Sequence, residues 1–330
     1  MRECSKAGMR FSASRSSMKR FAVSDRLRIG VVGCGSMGSH HARIAAASDA
    51  AHLVAVVDPH PERREAIALA NGTRALADVE ALLSEGIDAA IVATPTAHHH
   101  NIAARLLGAG VHVLVEKPIA GSVAEARDLV ALADRANRRL MVGHVERFNP
   151  ALQALKTVLK GEDVRSIVIT RASPYPARIG DVGIVLDLAV HDIDLIRWIA
   201  GAEIAESQAQ VSRTIGEHED NALLQFRTVR GTIASINTNW LTPFRQRRME
   251  VATSDRFFVC DMLQRTLTVF SDYGKDGSFR QRQLFVPASD PLTAEHAGFF
   301  AAIRGEAAVP VSGHDGLRSL EIALACLAGA

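Results

Sequence analysis

Cysteine is scarce in this 330-residue sequence. Cys4, Cys34, Cys260 and Cys326 form no CxxC pair and keep no ligand-like spacing to histidine. Neither a disulfide framework nor a zinc site is therefore expected, and a reducing cytoplasm is the compartment that fits. Long apolar runs are missing too. The longest candidate, residues 182–200, is interrupted by Asp187, His191, Asp192, Asp194 and Arg197, so no membrane span is expected. Charge of one sign is also lacking. Lys and Arg total 38 against 36 Asp and Glu, a formal +2 that argues for neither a nucleic-acid nor a membrane partner. The balance is uneven along the chain: residues 1–26 hold seven basic and two acidic side chains, +5, which leaves −3 for the remainder. This basic, Ser-rich stretch has no apolar h-region and does not read as a secretory signal. Met9 and Met18 fit a later start site; a floppy tail or a nucleic-acid-binding arm are the other readings. No internal repeat is present.

What is present suffices for a large core. Hydrophobic residues make up 48% of the chain and charged residues 22%, which excludes disorder of the bulk. The length is twice that of a domain of about 150 residues, so two domains are expected. From Leu27 to Gly143, short runs that are apolar on both faces (LRIGVVG, HLVAVVD, IDAAIVA, VHVLVE, LMVGH) alternate with helix-length segments at 36–47, 61–70, 98–108 and 122–136. That alternation predicts an α/β, doubly wound parallel sheet. After Pro150 the rhythm changes to α+β. A helix at 151–160, a strand at 165–172 and a long apolar helix at 184–199 precede strands near 205–211, 222–228, 232–240, 247–253, 257–261 and 266–271. Joined by short turns, these predict a large, mainly antiparallel open sheet. Two closing helices, 291–304 and 314–328, should pack back on the body. The boundary falls near Glu146 to Pro150, giving a first domain over 27–146 and a second over 147–330. A one-sided sheet of this kind suggests a homodimer or homotetramer that buries the open face.

Gly33-Cys34-Gly35-Ser36-Met37-Gly38 is a GxGxxG between a strand and a helix. The first glycine permits a tight turn, the second lets backbone approach a pyrophosphate, and the third allows close helix packing. Free N–H groups at the helix start, with Ser36 and Met37, would face the phosphates. Asp58 ends the next strand twenty residues beyond Gly38, where a carboxylate accepts from ribose hydroxyls and repels a 2′-phosphate. NAD is favoured over NADP; the alternative is a structural turn plus a surface aspartate. Two more segments should lie at strand carboxyl ends: Thr94-Pro95 with His98, and Glu116-Lys117-Pro118. The second follows a buried strand, so Lys117 should project into the crevice. His98 to His100 cannot converge on one metal from consecutive helix positions. His98 is read as facing the cleft, with the other two on the surface.

In the second half, Asp187, His191 and Asp194 recur at i, i+4 and i+7 on an otherwise apolar helix, a single polar stripe. His191 could be a core histidine bonded to Asp187, an acid/base histidine tuned by it, or one of two ligands of a metal. No metal site is assigned.

Together, GCGSMG, Asp58, ATPTAHHH, EKP and DLAVHDID resemble the glucose-fructose oxidoreductase and inositol dehydrogenase (Gfo/Idh/MocA) family over nearly the whole chain from Leu27. The resemblance implies an N-terminal Rossmann domain carrying NAD(P), a C-terminal sheet used for oligomerisation, and Lys117, Asp187 and His191 around the reacting carbon. It also places Pro118 where a cis bond is common. Within the family, GHVERFNP, YPARIGDVGIVLDLAVHDID and NWLTP are similar to UDP-N-acetylglucosamine 3-dehydrogenases, and put Asn149, Asp192 and Trp240 near the substrate. On that basis His191 removes a hydroxyl proton, Lys117 stabilises the alkoxide, and Asp187 orients His191. Arg147, Arg178 and Arg245 are then candidates for the diphosphate and uracil, although each could instead be solvated or salt-bridged. The alternatives are an inositol or free-sugar dehydrogenase, a glycosidase working through transient oxidation, and a non-catalytic NAD-binding sensor.

Overall fold

The computed structural model describes residues 25–176 and 182–330. Six strands form the first sheet: β1 (Leu27–Val32), β2 (Ala51–Val57), β3 (Arg74–Leu76), β4 (Ala89–Val92), β5 (His112–Glu116) and β6 (Leu140–Gly143). All pairings are parallel, in the order β3-β2-β1-β4-β5-β6. The five helices that connect them are α1 (Ser36–Ala47), α2 (Pro61–Asn71), α3 (Val79–Ser84), α4 (His99–Gly108) and α5 (Val123–Ala136). Their ends carry ordinary signals. Pro61 opens α2, Ser122 caps α5 by accepting from Glu125 N–H, and Gly72 and Asn137 close α2 and α5 in left-handed conformation. Strand order reverses between β1 and β4, which opens a crevice at their carboxyl ends.

The second sheet has eight strands: β7 (Ser166–Pro174), β8 (Ile204–Ser212), β9 (Asn221–Thr228), β10 (Ile233–Asn239), β11 (Leu241–Ala252), β12 (Phe257–Asp261), β13 (Thr266–Ser271) and β14 (Arg280–Leu284). The order is β14-β13-β12-β11-β7-β10-β9-β8, antiparallel except for the parallel pair β7 and β10. Helix α6 (Pro150–Val158) precedes β7 and α7 (Val190–Ala200) follows it; α8 (Pro291–Ile303) and α9 (Gly313–Ala328) close the chain. One face of the sheet is buried. Ile167, Ile169, Leu224, Phe226 and Ile236 meet Ile193, Ile196 and Ile199 of α7 in a continuous core. Alternation along β9 explains this, since Leu224 and Phe226 point in while Leu223 and Gln225 face solvent. The closing helices tie the halves together: Phe299, Phe300, Val311 and Leu320 belong to the core of the first sheet, whereas Ile322, Ala323 and Cys326 belong to that of the second.

β3, α3 and β14 are not among the elements expected from the sequence. The first two span three and six residues, and β14, with sequence RQRQL, is polar and held by its pairing to β13 at the sheet edge. The expected long helix at 184–199 is not uniform. Residues Val185–Ala189 form a π-helical turn before α7, and the Glu219 carboxylate lies over Gly183, with its Oε1 accepting from Val185 N–H at 3.2 Å.

Candidate functional site

The glycine-rich turn at the end of β1 has three distinct glycines. Gly33 has φ +99°, and a Cβ there would lie 2.5 Å from the Ala93 carbonyl oxygen. A Cβ on Gly38 would lie 1.8 Å from the Gly33 carbonyl oxygen, so only glycine lets α1 approach the turn. Gly35 is different: a Cβ there meets nothing within 4 Å, and the space it would enter is the crevice. Gly35 also caps α1 without a side chain, and the first turn has no acidic residue, so the helix start is open to an anion. At the end of β2, Asp58 is nearly buried and braces the turn, its Oδ2 accepting from Cys34 N–H at 2.8 Å and its Oδ1 from His60 N–H at 2.9 Å. Each oxygen keeps a lone pair for a ribose hydroxyl. Thr94 lines the same cleft with a buried hydroxyl that has no partner among the described residues. An open helix start, a carboxylate beyond β2 and an unpaired hydroxyl suit a dinucleotide.

The cleft, about 460 Å³, continues from Gly35, Ser36 and Met37 past Thr94 and Pro95 to Lys117, Asp187 and His191. Lys117 follows β5 at a cis Lys117–Pro118 bond. Its Nζ donates to Asp187 Oδ1 at 2.8 Å and to the Asp187 carbonyl at 2.6 Å. His191 does not bond Asp187, as the even helical spacing suggested. The π-helical turn shifts the phase of the helix between them, so Asp187 serves Lys117 while His191 Nδ1 meets His144 Nδ1 at 3.4 Å. Burial first, then the charges of Lys117, His144, Arg171 and Arg247, hold His191 well below the usual 6.5. The imidazole is thus neutral and can take a proton.

Behind His191 lies a buried ionic network that sequence reasoning missed. Arg171 donates to Asp192 through Nε (2.8 Å) and Nη2 (2.6 Å), and through Nη1 to Glu146 at 3.0 Å. Arg247 donates to the same Glu146 oxygen at 2.8 Å. Burial alone would raise Glu146, but Arg171 and Arg247 outweigh it and hold the carboxylate below its usual range. A signal was present: Arg171 shares inward strand parity with Ile167 and Ile169, as Arg247 does with Met249 and Val251, and the two arginines are cross-strand partners. An arginine in an inward register implies a buried carboxylate partner.

Several expected site residues have other roles. Arg147 is buried in a two-pronged pair with Asp194 at 2.6 Å, with further contacts to Asp315 and the Pro310 carbonyl, and so is not available to a diphosphate. Asn149 caps α6 and donates to the Met262 carbonyl. Asp192 is fully engaged by Arg171 and fully buried. His98 is exposed and stands apart from the cleft lining; its neighbour His99, expected on the surface, is the buried one, bridging the Pro118 carbonyl (2.8 Å) and the Thr94 carbonyl (2.9 Å). Trp240 and Arg245 do line a side pocket of about 260 Å³, which shares Arg171, Asp187, Leu188 and Arg247 with the main cleft. Trp240 packs edge-on against Tyr175 at 5.5 Å. Arg178 lies outside the described residues. Glu116, as expected, is in the cleft lining. Among the described residues no group of three metal-binding side chains occurs, and no helix is long and apolar enough to cross a membrane.

A doubly wound domain with this turn, followed by an open-sheet domain whose π-helical turn and α7 bring Asp187 and His191 to the cleft, defines a class of NAD-dependent dehydrogenase. Residues 27–144 match the family model described as "Oxidoreductase family, NAD-binding Rossmann fold", and 163–258 match "GFO/IDH/MocA C-terminal domain". A curated relative, UDP-N-acetylglucosamine 3-dehydrogenase of Acidithiobacillus ferrooxidans, is 32% identical over 303 residues, covering 90% of this chain and 95% of its own. Inositol 2-dehydrogenase of Rhizobium meliloti is 30% identical, over 90% and 94%. The solved structure of the Acidithiobacillus enzyme superposes with a TM-score of 0.87 at 31% identity, over 92% of this chain and 98% of that one. The chain belongs to the Gfo/Idh/MocA family and is an NAD-dependent oxidoreductase acting on CH–OH groups.

Proposed function

We propose that the protein oxidises a secondary alcohol of a nucleotide sugar to a ketone, with the 3-hydroxyl of UDP-N-acetylglucosamine or a closely related sugar as substrate. The observation that carries the chemistry is the meeting of Lys117, Asp187 and His191 in one cleft with the open Gly35 turn. Bound NAD would supply the acceptor for the hydride leaving the carbinol carbon. Gly35, Ser36 and Met37 would hold its phosphates, Asp58 the adenosine ribose, and Thr94, Pro95 and Glu116 the nicotinamide half. His191 offers a neutral imidazole to the substrate hydroxyl, with Nε2 as the accepting atom because Nδ1 is turned to His144. Lys117 Nζ, held by Asp187, would stand beside the same oxygen and stabilise the alkoxide as charge develops. Asp187 is a positioning residue for Lys117.

Support for a nucleotide sugar comes from the side pocket and from the relative at 32% identity. Arg245 has no ion pair among the described residues, and Arg247 shares Glu146 with Arg171, so the pocket offers guanidinium to an anionic group attached to the sugar. Inositol oxidation is the second reading, favoured by the relative at 30% identity; it has no use for this pocket. The test is absorbance at 340 nm with NAD and a panel of UDP-N-acetylglucosamine, its uronic acid, UDP-glucose, myo-inositol and glucose, with a carbonyl trap. NADH formed only with UDP-sugars, and lost in Arg245→Ala through a raised KM, is the expected result. Turnover with inositol or glucose alone would discard the nucleotide-sugar assignment.

A further inference from the structure

A second cluster of titratable groups lies beneath the cofactor cleft, and of its members only Glu116 has a part in the proposed cofactor binding. His41 on α1, Glu116 at the end of β5, and Glu295 and His296 on α8 are all buried. His41 Nε2 is 2.9 Å from Glu116 Oε1, and His41 Nδ1 is 2.8 Å from His296 Nε2. The two imidazoles stack at 5.1 Å with planes 10° apart, and Phe300 meets His296 edge-on at 5.7 Å. One arrangement satisfies every ring donor: His296 Nε2–H donates to His41 Nδ1, and His41 Nε2–H donates to Glu116. It leaves His296 Nδ1 as a bare lone pair, in keeping with the absence of a partner for that atom among the described residues. Glu116 Oε2 accepts from Lys117 N–H at 3.1 Å, and Gly143 packs closely opposite it, where a Cβ would lie 3.1 Å from the carboxyl group.

Glu116 is thus fixed from three directions, and it is the one member of the cluster that lines the cleft. The chain of contacts begins on α8, a helix of the closing segment, and ends one residue before Lys117. We infer that His296 is a positioning residue for the cofactor cleft, acting through His41 to hold Glu116 with an acceptor oxygen toward the nicotinamide half of NAD. The inference rests on the reading of Glu116 as a cofactor contact. Without the His296 donor, His41 can adopt its other tautomer, place a bare nitrogen against Glu116 and release the carboxylate from its orientation.

The test is the Kd for NADH, from its fluorescence on binding, in His296→Leu, His296→Gln and Glu116→Gln proteins, with Tm measured alongside. His296→Leu should weaken NADH binding about tenfold, the scale of one hydrogen bond to a charged group. His296→Gln, whose amide can reach His41, should restore affinity to within about threefold on the same scale. A merely structural histidine would lower Tm in both variants and leave the Kd of the folded protein unchanged; that result, or equal weakening in Leu and Gln variants, overturns the inference. Glu116→Gln separates the two levels. Weakened binding there with unchanged binding in His296→Leu discards only the role of His296. Unchanged binding in Glu116→Gln discards the cofactor contact and the inference with it.

Discussion

Glu295 and His296 are adjacent, buried and opposite in their response to pH. Burial and the charge of Glu116 push the Glu295 carboxyl well above its usual 4.5, while burial and His41 push His296 well below 6.5. For Glu295 the folded state holds the proton more tightly, so its contribution to stability is intact below 4.5 and is lost as pH rises toward the folded value. Glu295→Gln should therefore raise Tm by several degrees at pH 8, with the gain vanishing toward pH 4; a gain equal at both would contradict this. His191 gives a second pH prediction. Its depressed value places the acid limb of kcat/KM for alcohol oxidation below 6.5, as a pH profile would record. The roles of single residues were unevenly legible in the sequence. Lys117 and His191 stand out because each interrupts an apolar run at the end of a strand or within a buried helix. Arg147 and Asp192 show their charge in sequence and not their partners, and the partners Asp194 and Arg171 are 47 and 21 residues away.

At the scale of elements, the turn between β1 and α1 makes a sharp contrast. Gly35 has φ −76°, which alanine adopts freely, and open space around its missing Cβ. Gly35→Ala should keep stability within about 0.5 kcal/mol of wild type and still lose NADH binding tenfold or more, because the methyl enters the phosphate cradle. Gly38→Ala forces a methyl onto the Gly33 carbonyl and should destabilise by about 1–3 kcal/mol. Calorimetry with NADH titration distinguishes the two; equal stability losses would show that Gly35 is structural. The strands of the first sheet could be read because their apolar runs are buried on both faces. The π-helical turn could not be read, since its residues fit a regular helix equally well, and Glu219, which accepts from Val185 N–H at its start, lies 34 residues away. The parallel pairing of β7 with β10 was hidden for a related reason. Local turns report antiparallel neighbours, whereas β10 reaches β7 only after α7, β8 and β9 have intervened.

For the whole molecule, the closing helices bind the halves into one architecture and place Glu295 and His296 under a cleft built by the first sheet. The outer face of the second sheet still exposes Val168, Leu223, Ile233, Leu241 and Phe244. Sedimentation at micromolar concentration should give a dimer or tetramer, with a monomer as the contrary result. Two-sheet organisation was legible from the change of rhythm after Pro150; the division of the closing helices between the two cores was not, because Phe299 and Leu320 carry no mark of which sheet they join. The central claim is that Lys117 and His191 act on a CH–OH group beside NAD, and the direct measurement is kcat at 340 nm, with UDP-N-acetylglucosamine and saturating NAD, for wild type, Lys117→Ala and His191→Ala. Losses of about 10²–10⁴-fold in each variant with unchanged NADH affinity are predicted. Turnover near the wild-type rate in either variant would contradict the account.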